Sequence, residues 1–213
     1  MSLEFFDFRR DIKNVLITPQ IRSRFMQIKA GTTTGSHTHD LGHEIFMVME
    51  GTIEFDVAGR KAILGPGQMC VAMVDEPHTL RVIGDQDATI YLSVTPHVEP
   101  THTFWDENGK RLPSRWGGAS RREREESGIP NPPIEDLIAQ HRSFSVALAI
   151  ATSSATNASH RGLADLESSL ARDDRAATLA HLESLGSDLT RVYLALFALT
   201  EAWNDLAAIA SEA

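Results

Sequence analysis

The chain has 213 residues, 42% of them hydrophobic, with a formal net charge of -9 and a pI of about 5.4. That length and apolar content supply one large core or two small ones. The negative balance repels phosphate backbones and anionic membrane surfaces, which argues against nucleic acid and membrane as partners. The first ten residues hold three Phe but also Glu4, Asp7, Arg9 and Arg10, so they lack the apolar run of a signal peptide. Nothing approaches a membrane span, because no apolar stretch reaches the ~18 residues that crossing requires. One cysteine, Cys70, permits no internal disulfide, and a cytoplasmic location is expected.

From about Ile12 to Pro96 short β-rich runs alternate with turn residues. Strands are expected at Ser23 to Ala30, Glu44 to Met49, Thr52 to Val57, Gln68 to Val74, Leu80 to Ile83 and Thr89 to Thr95. Short strands at this spacing, with almost no helical period, imply an antiparallel sandwich or barrel, and a β domain is drawn at residues 1–105. Residues 106–133 shift to Gly, Pro and Arg and read as a connector. Residues 134–213 contain no proline and read as helical. Leu189, Val192, Tyr193, Leu196, Leu199, Trp203, Leu206 and Ala210 share one face at three- and four-residue steps. Gly186 reads as the stop of one helix and Ser187 or Asp188 as the cap of the next, so three or four helices are expected to form an antiparallel bundle. Eleven Asp or Glu, five Arg and no Lys in this region oppose a DNA-reading helix pair. A capping bundle or an oligomer interface explains the amphipathic stripe without chemistry.

The chemistry concentrates between Gly31 and Gly51. His37 and His39 lie two apart, so on a strand they project to the same side as a two-imidazole clamp. Asp40-Leu41-Gly42 reads as a tight turn that brings Glu44 opposite them on the returning strand. His78, after Asp75-Glu76-Pro77, offers a third imidazole. Three imidazoles and one carboxylate suit one divalent transition metal (Fe, Mn, Ni, Cu or Zn), with two octahedral positions open for substrate and for dioxygen or water. His43 would face away in a regular strand, but a register slip by one residue would exchange it with Glu44.

Gly31, His37, His39, Glu44 and Gly51 fill every fixed position of G-x5-H-x-H-x4-E-x6-G, the first motif of the cupin superfamily, which this chain resembles over roughly residues 20 to 100. The second motif, G-x5-P-x-G-x2-H-x3-N, is met by Gly67 and His78, with Met73, Asp75 and Val82 where proline, glycine and asparagine are usual. The resemblance implies a cupin β-barrel, or jelly roll, followed here by a C-terminal helical bundle. It also implies a single metal held by His37, His39, Glu44 and His78, and a homodimer formed by sheet packing.

Cupins include dioxygenases, isomerases, lyases, cyclases and sensors, so the fold leaves function open. The ligand set resembles that of cupin dioxygenases. An oxygenase acting on a small organic substrate is therefore expected, with Glu44 doubling as a catalytic proton acceptor. Redox-neutral lyase, isomerase or cyclase chemistry, or non-catalytic binding or sensing, are the alternatives. Ile45 to Met49 lack alternation, which implies that both strand faces are covered. Phe46 and Val48 share the parity of Glu44 and are expected to line the substrate pocket. Cys70 reads as a buried strand residue. His97, His102 and Trp105 read as a surface loop, or as one folding over the barrel mouth with an acid/base group. Arg111, Arg115, Arg121, Arg122 and Arg124 are nearly balanced by Glu123, Glu125 and Glu126 and read as a solvated segment.

Overall fold

The computed structural model describes residues 3–116, 128 and 130–211. Ten strands run in chain order: β1 (Asn14–Ile17), β2 (Arg22–Ile28), β3 (His37–Thr38), β4 (His43–Glu50), β5 (Ile53–Val57), β6 (Arg60–Leu64), β7 (Met69–Ala72), β8 (His78–Val82), β9 (Ala88–Thr95) and β10 (Thr103–Phe104). Two helices follow among the described residues, α1 (Ile134–Ala171) and α2 (Arg175–Ala210). The chain divides into two compact units, one of Met1–Pro130 with Ala207–Ala213 and one of Asn131–Leu206, described here separately.

In the first unit the strands form two five-stranded antiparallel sheets, ordered β1-β2-β9-β4-β7 and β10-β3-β8-β5-β6. Side chains alternate across a strand, so each pairing register fixes which residues share a face. In the first sheet three rows point inward: Arg22, Val94, Glu44 and Ala72; then Arg24, Leu92, Phe46 and Cys70; then Met26, Ile90 and Val48. Phe46, Val48, Ile90, Leu92 and Val94 meet Ile53, Phe55, Val57, Leu80 and Val82 of the second sheet in one apolar core. The expected antiparallel jelly roll is what forms.

All six expected strands are present, with ends shifted by at most two residues. Strand β4 alternates more than its sequence suggested: Glu44, Phe46 and Val48 are buried, and Ile45, Met47 and Met49 only half-buried. Gly51, which follows β4, is fixed both by conformation and by space. Its φ is +80°, and a Cβ there would lie 2.8 Å from Ala88 Cα, so the last glycine of the first motif allows β4 and β9 to stay paired to their ends.

The second unit corrects the expected helix count. α1 and α2 are single helices of 38 and 36 residues, forming one antiparallel hairpin. Gly186 does not stop a helix; it lies inside α2, where its carbonyl accepts a hydrogen bond from Thr190 Oγ1 at 2.9 Å. Tolerating Gly costs a helix about 1 kcal/mol, less than ending it would forfeit in packing. The real break is at Arg172–Asp174, where Asp173 takes a left-handed φ of +55° and Asp174 Oδ1 accepts the Ala177 N–H at 3.1 Å as the cap of α2. The helices touch at Gly162, where an added Cβ would meet Leu185 Cδ2 at 2.9 Å, and at Thr178 Oγ1, which donates to Ser169 Oγ at 3.0 Å. An 18-residue window of α2 has a mean hydropathy of 1.2, enough by length and composition alone to cross a membrane. By this measure the expectation that nothing approaches a membrane span is corrected, because the apolar residues of α2 reach the threshold without forming a continuous run.

Candidate metal centre

Strand β3 carries His37, and His39 follows just past its end. Strand β8 opens on His78, which pairs in register with His37, and Glu44 is the second residue of β4. One donor atom from each of these four residues lies within 4.8 Å of the other three. Glu44 Oε2 is 2.8 Å from His39 Nε2, 3.0 Å from His78 Nε2 and 3.9 Å from His37 Nε2. The cluster is nearly dry, with only 12% of the His37 side chain exposed and 4% or less of the others.

The outer nitrogen of each ring decides what the inner one offers. His37 Nδ1 faces Gly35 O at 3.1 Å, His78 Nδ1 faces Glu76 O at 2.9 Å, and His39 Nδ1 faces Thr101 O. A carbonyl can only accept, so the hydrogen-bond partners assign the proton to Nδ1 and leave the Nε2 lone pair directed inward. Backbone carbonyls of this kind fix tautomer and ring orientation around metals. Without a cation, His39 and His78 would point lone pairs at a carboxylate oxygen at 2.8 and 3.0 Å, two acceptors in contact. A proton on each Nε2 would place two imidazolium rings 5.4 Å apart, whereas a single metal ion satisfies all four donors. The donor set therefore fits a divalent transition metal.

Local fields agree with this. Burial, then the neighbouring His78 charge, pushes His37 down to about 4. Burial alone would raise the Glu44 carboxyl, but its hydrogen bonds and attraction to His39 and His78 outweigh that and hold it well below the usual carboxylate range. Burial lowers His78, but the hydrogen bond to Glu44 and its charge raise it overall. Glu44 is thus an anion at neutral pH, and His37 is uncharged.

The register leaves His43 out. Its ring faces the other way, and Nδ1 accepts the Val74 N–H at 3.2 Å. Phe46 adjoins the site, its ring 5.6 Å from that of His78, while Val48 lies one row deeper in the core. Cys70 faces inward beside Phe46, and burial followed by the Glu44 charge pushes its thiol up to about 11, the wrong direction for a nucleophile. His102, from the segment after β9, does reach the mouth: its ring centroid is 4.9 Å from His37 and 4.7 Å from His39. His97 is fully buried outside the four-residue group, and its backbone N–H donates to Pro19 O at 3.0 Å. Trp105 Nε1 donates to Thr38 Oγ1 at 3.3 Å, which ties β10 to β3. Arg111 pairs with Asp40 at 3.2 Å, and Arg115 lies over the Phe104 ring at 4.4 Å. Arg121, Arg122, Arg124, Glu123, Glu125 and Glu126 lie outside the described residues.

Residues 24–95 match the family model of the cupin domain. These residues form a cupin domain. The partial second motif is reconciled by its backbone: Asp75, where cupins usually have glycine, adopts a left-handed φ of +60°, and its N–H donates to His39 O at 3.1 Å. Asp is among the few non-glycine residues that reach this region readily. KdgF from Halomonas sp. is 24% identical, with 41% of this chain and 78% of that one covered and a TM-score of 0.39. An uncharacterized conserved protein with a double-stranded β-helix domain from Klebsiella pneumoniae is 20% identical over 45% of this chain and 90% of that one, with a TM-score of 0.42. Salicylate 1,2-dioxygenase from Pseudaminobacter salicylatoxidans is 25% identical over 36% of this chain, which spans 21% of that protein, with a TM-score of 0.34. No curated protein matches.

Proposed function

We propose that the chain is a metal-dependent oxygenase acting on a small organic substrate at one divalent metal held by His37, His39, Glu44 and His78. The observation that carries this reading is the set of three rings whose Nδ1 atoms meet backbone carbonyls while their Nε2 atoms converge on Glu44. A divalent metal held by these four residues would supply open positions to bind substrate and dioxygen. The protein's own part is to aim three imidazoles inward, to keep Glu44 ionised as a proton acceptor at Oε2, and to exclude water with Phe46 and the core beneath it. A homodimer belongs to the same reading, supported by Met69 and Val71, 52% and 43% exposed on β7.

Metal analysis of protein purified without air or chelator tests this, with His37→Ala as control. About one iron per chain, lost in the variant, together with dioxygen uptake on adding organic acids or phenols, is the expected result. Stoichiometric zinc with no dioxygen uptake would replace the oxygenase by redox-neutral chemistry. Absence of any metal in the intact protein would overturn the metal reading.

A further inference from the structure

The helical hairpin uses only part of the apolar surface of α2. Thr178 bonds to Ser169 of α1, Leu185 packs over Gly162, and Val192, seven residues further on, is half-buried. One residue after each, about 100° further around the helix, come Leu179, Gly186 and Tyr193. With Leu182, Leu189 and Leu196 these make a second seam, whose steps are three, four, three, four and three residues. Its five side chains are between 40% and 57% exposed, and none is charged. Apolar residues at a mean spacing of about 3.5 are what a helix presents to a partner helix. The seam continues for about 26 Å along the axis.

Gly186 stands in the middle of this seam. A glycine weakens a helix interior, and nothing in its own chain asks for one, because a Cβ there would meet no atom within 4 Å. Gly162 shows what a glycine does in this hairpin: its missing side chain makes room for Leu185 of the other helix. Gly186 offers the same room to a helix from outside the chain. The seam is also its own complement. A two-fold axis through its midpoint, between Gly186 and Leu189, sets Leu179 against the partner's Leu196, Leu182 against the partner's Tyr193 and Gly186 against the partner's Leu189. The central layers thus place small against large, as an isologous contact requires. On α1, Leu163 and Leu170 follow Gly162 and Ser169 by one residue, a step that in an antiparallel pair turns to the same side as on α2. Both are exposed and widen the face. A lipid surface would require neither this spacing nor the glycine.

We propose that the exposed seam of α2 binds the same seam of a second copy of this chain in antiparallel orientation, so that two hairpins join into a four-helix bundle. The surface is separate from β7, and the pairing depends on neither the metal nor the oxygenase reading.

Sedimentation of the full-length protein at micromolar concentration is expected to give a dimer, or a tetramer where β7 pairs as well. Leu182→Glu with Leu189→Glu should lower that state by one step, to monomer or to dimer, whereas Met69→Lys with Val71→Lys should leave the helical contact in place. Gly186→Leu separates contact from folding. Its side chain meets nothing in its own chain, so helix content by circular dichroism should not fall, while the dissociation constant should rise about tenfold or more. If the double glutamate variant fails to fold, Gly186→Leu decides. Orientation is read by cross-linking in a Cys70→Ala background. An equal mixture of Leu179→Cys and Leu196→Cys is expected to form a disulfide between copies on mild oxidation, and neither variant alone should do so. A monomeric parent, an association unchanged in the helical variants, or cross-linking of each cysteine variant with itself would overturn the proposal. Uptake of a monomeric parent by neutral phospholipid vesicles would also overturn it and assign the seam to a membrane.

Discussion

The inner face of one sheet holds two chemistries about 13 Å apart. At the mouth its row reads Arg22, Val94, Glu44, Ala72; two rows down it reads Met26, Ile90, Val48. The same strands in the same register supply both, so the backbone is indifferent to the change and the side chains alone divide the barrel into a reactive end and a stabilising end. Buried charge at the mouth is tolerable only where partners satisfy it, whereas the row of Met26, Ile90 and Val48 needs nothing except close packing. The difference shows how a site can be added to a fold without altering it: polar residues take the outermost inward position of β2 and β4 and leave the deepest row closed.

Removing a donor at the mouth should have the largest effect. Glu44→Ala is expected to lower metal affinity by more than about 100-fold, the upper range of outer-shell changes, as read by competition with a chelator. The secondary structure measured by circular dichroism should be unchanged. Deep in the barrel the outcome should reverse. Phe55→Ala is expected to cost about 3–5 kcal/mol in urea unfolding while metal stoichiometry remains that of the parent. Metal loss in that variant would mean that the two ends are not separable.

Acid should distinguish the ends as well. Burial, and then the Arg22 charge, holds His97 down at about 4, against an ordinary value of 6.5. Between those two values the unfolded chain binds the proton and the folded one does not, so stability is complete above about pH 6.5 and is lost as the pH falls toward 4. The loss at this one residue is on the order of 3 kcal/mol. Unfolding free energies of the parent and His97→Gln, compared from pH 7 to pH 4, should show a smaller decline in the variant, and parallel curves would sink the assignment. The smallest effect is expected at Asp75. Asp75→Gly should lie within about 0.5 kcal/mol of the parent, while Asp75→Val, unable to hold a positive φ without strain, should lose about 1–2 kcal/mol.

How much of this was legible follows from local pattern. Glu44, His37 and His39 were readable because period two and a tight turn determine their side of the sheet, and the structure decides between Glu44 and His43 as that period requires. His78 was readable as a residue type, but its place depended on Asp75 adopting a conformation that the sequence does not advertise. Strand β6 was missed because Arg60–Leu64 is a mostly exposed edge strand without alternation, and β3 and β10 because two-residue strands exist only through their partners. Arg22 was passed over because an arginine at the start of a strand looks like surface until three-strand register shows it facing inward. Gly186 misled for a related reason, since a helix held by its neighbour tolerates a residue that an isolated one would not.

The three imidazoles are oriented by Gly35, Glu76 and Thr101 through main-chain oxygens. No single amino-acid exchange deletes a backbone carbonyl, so the aim of the rings is shielded from point mutation, and sequence drift around them can proceed without disturbing it. Redirecting a ring would take an insertion, a deletion or a proline in the loops themselves. Variation in this barrel is therefore expected to retune what the mouth admits long before it changes how the centre is built.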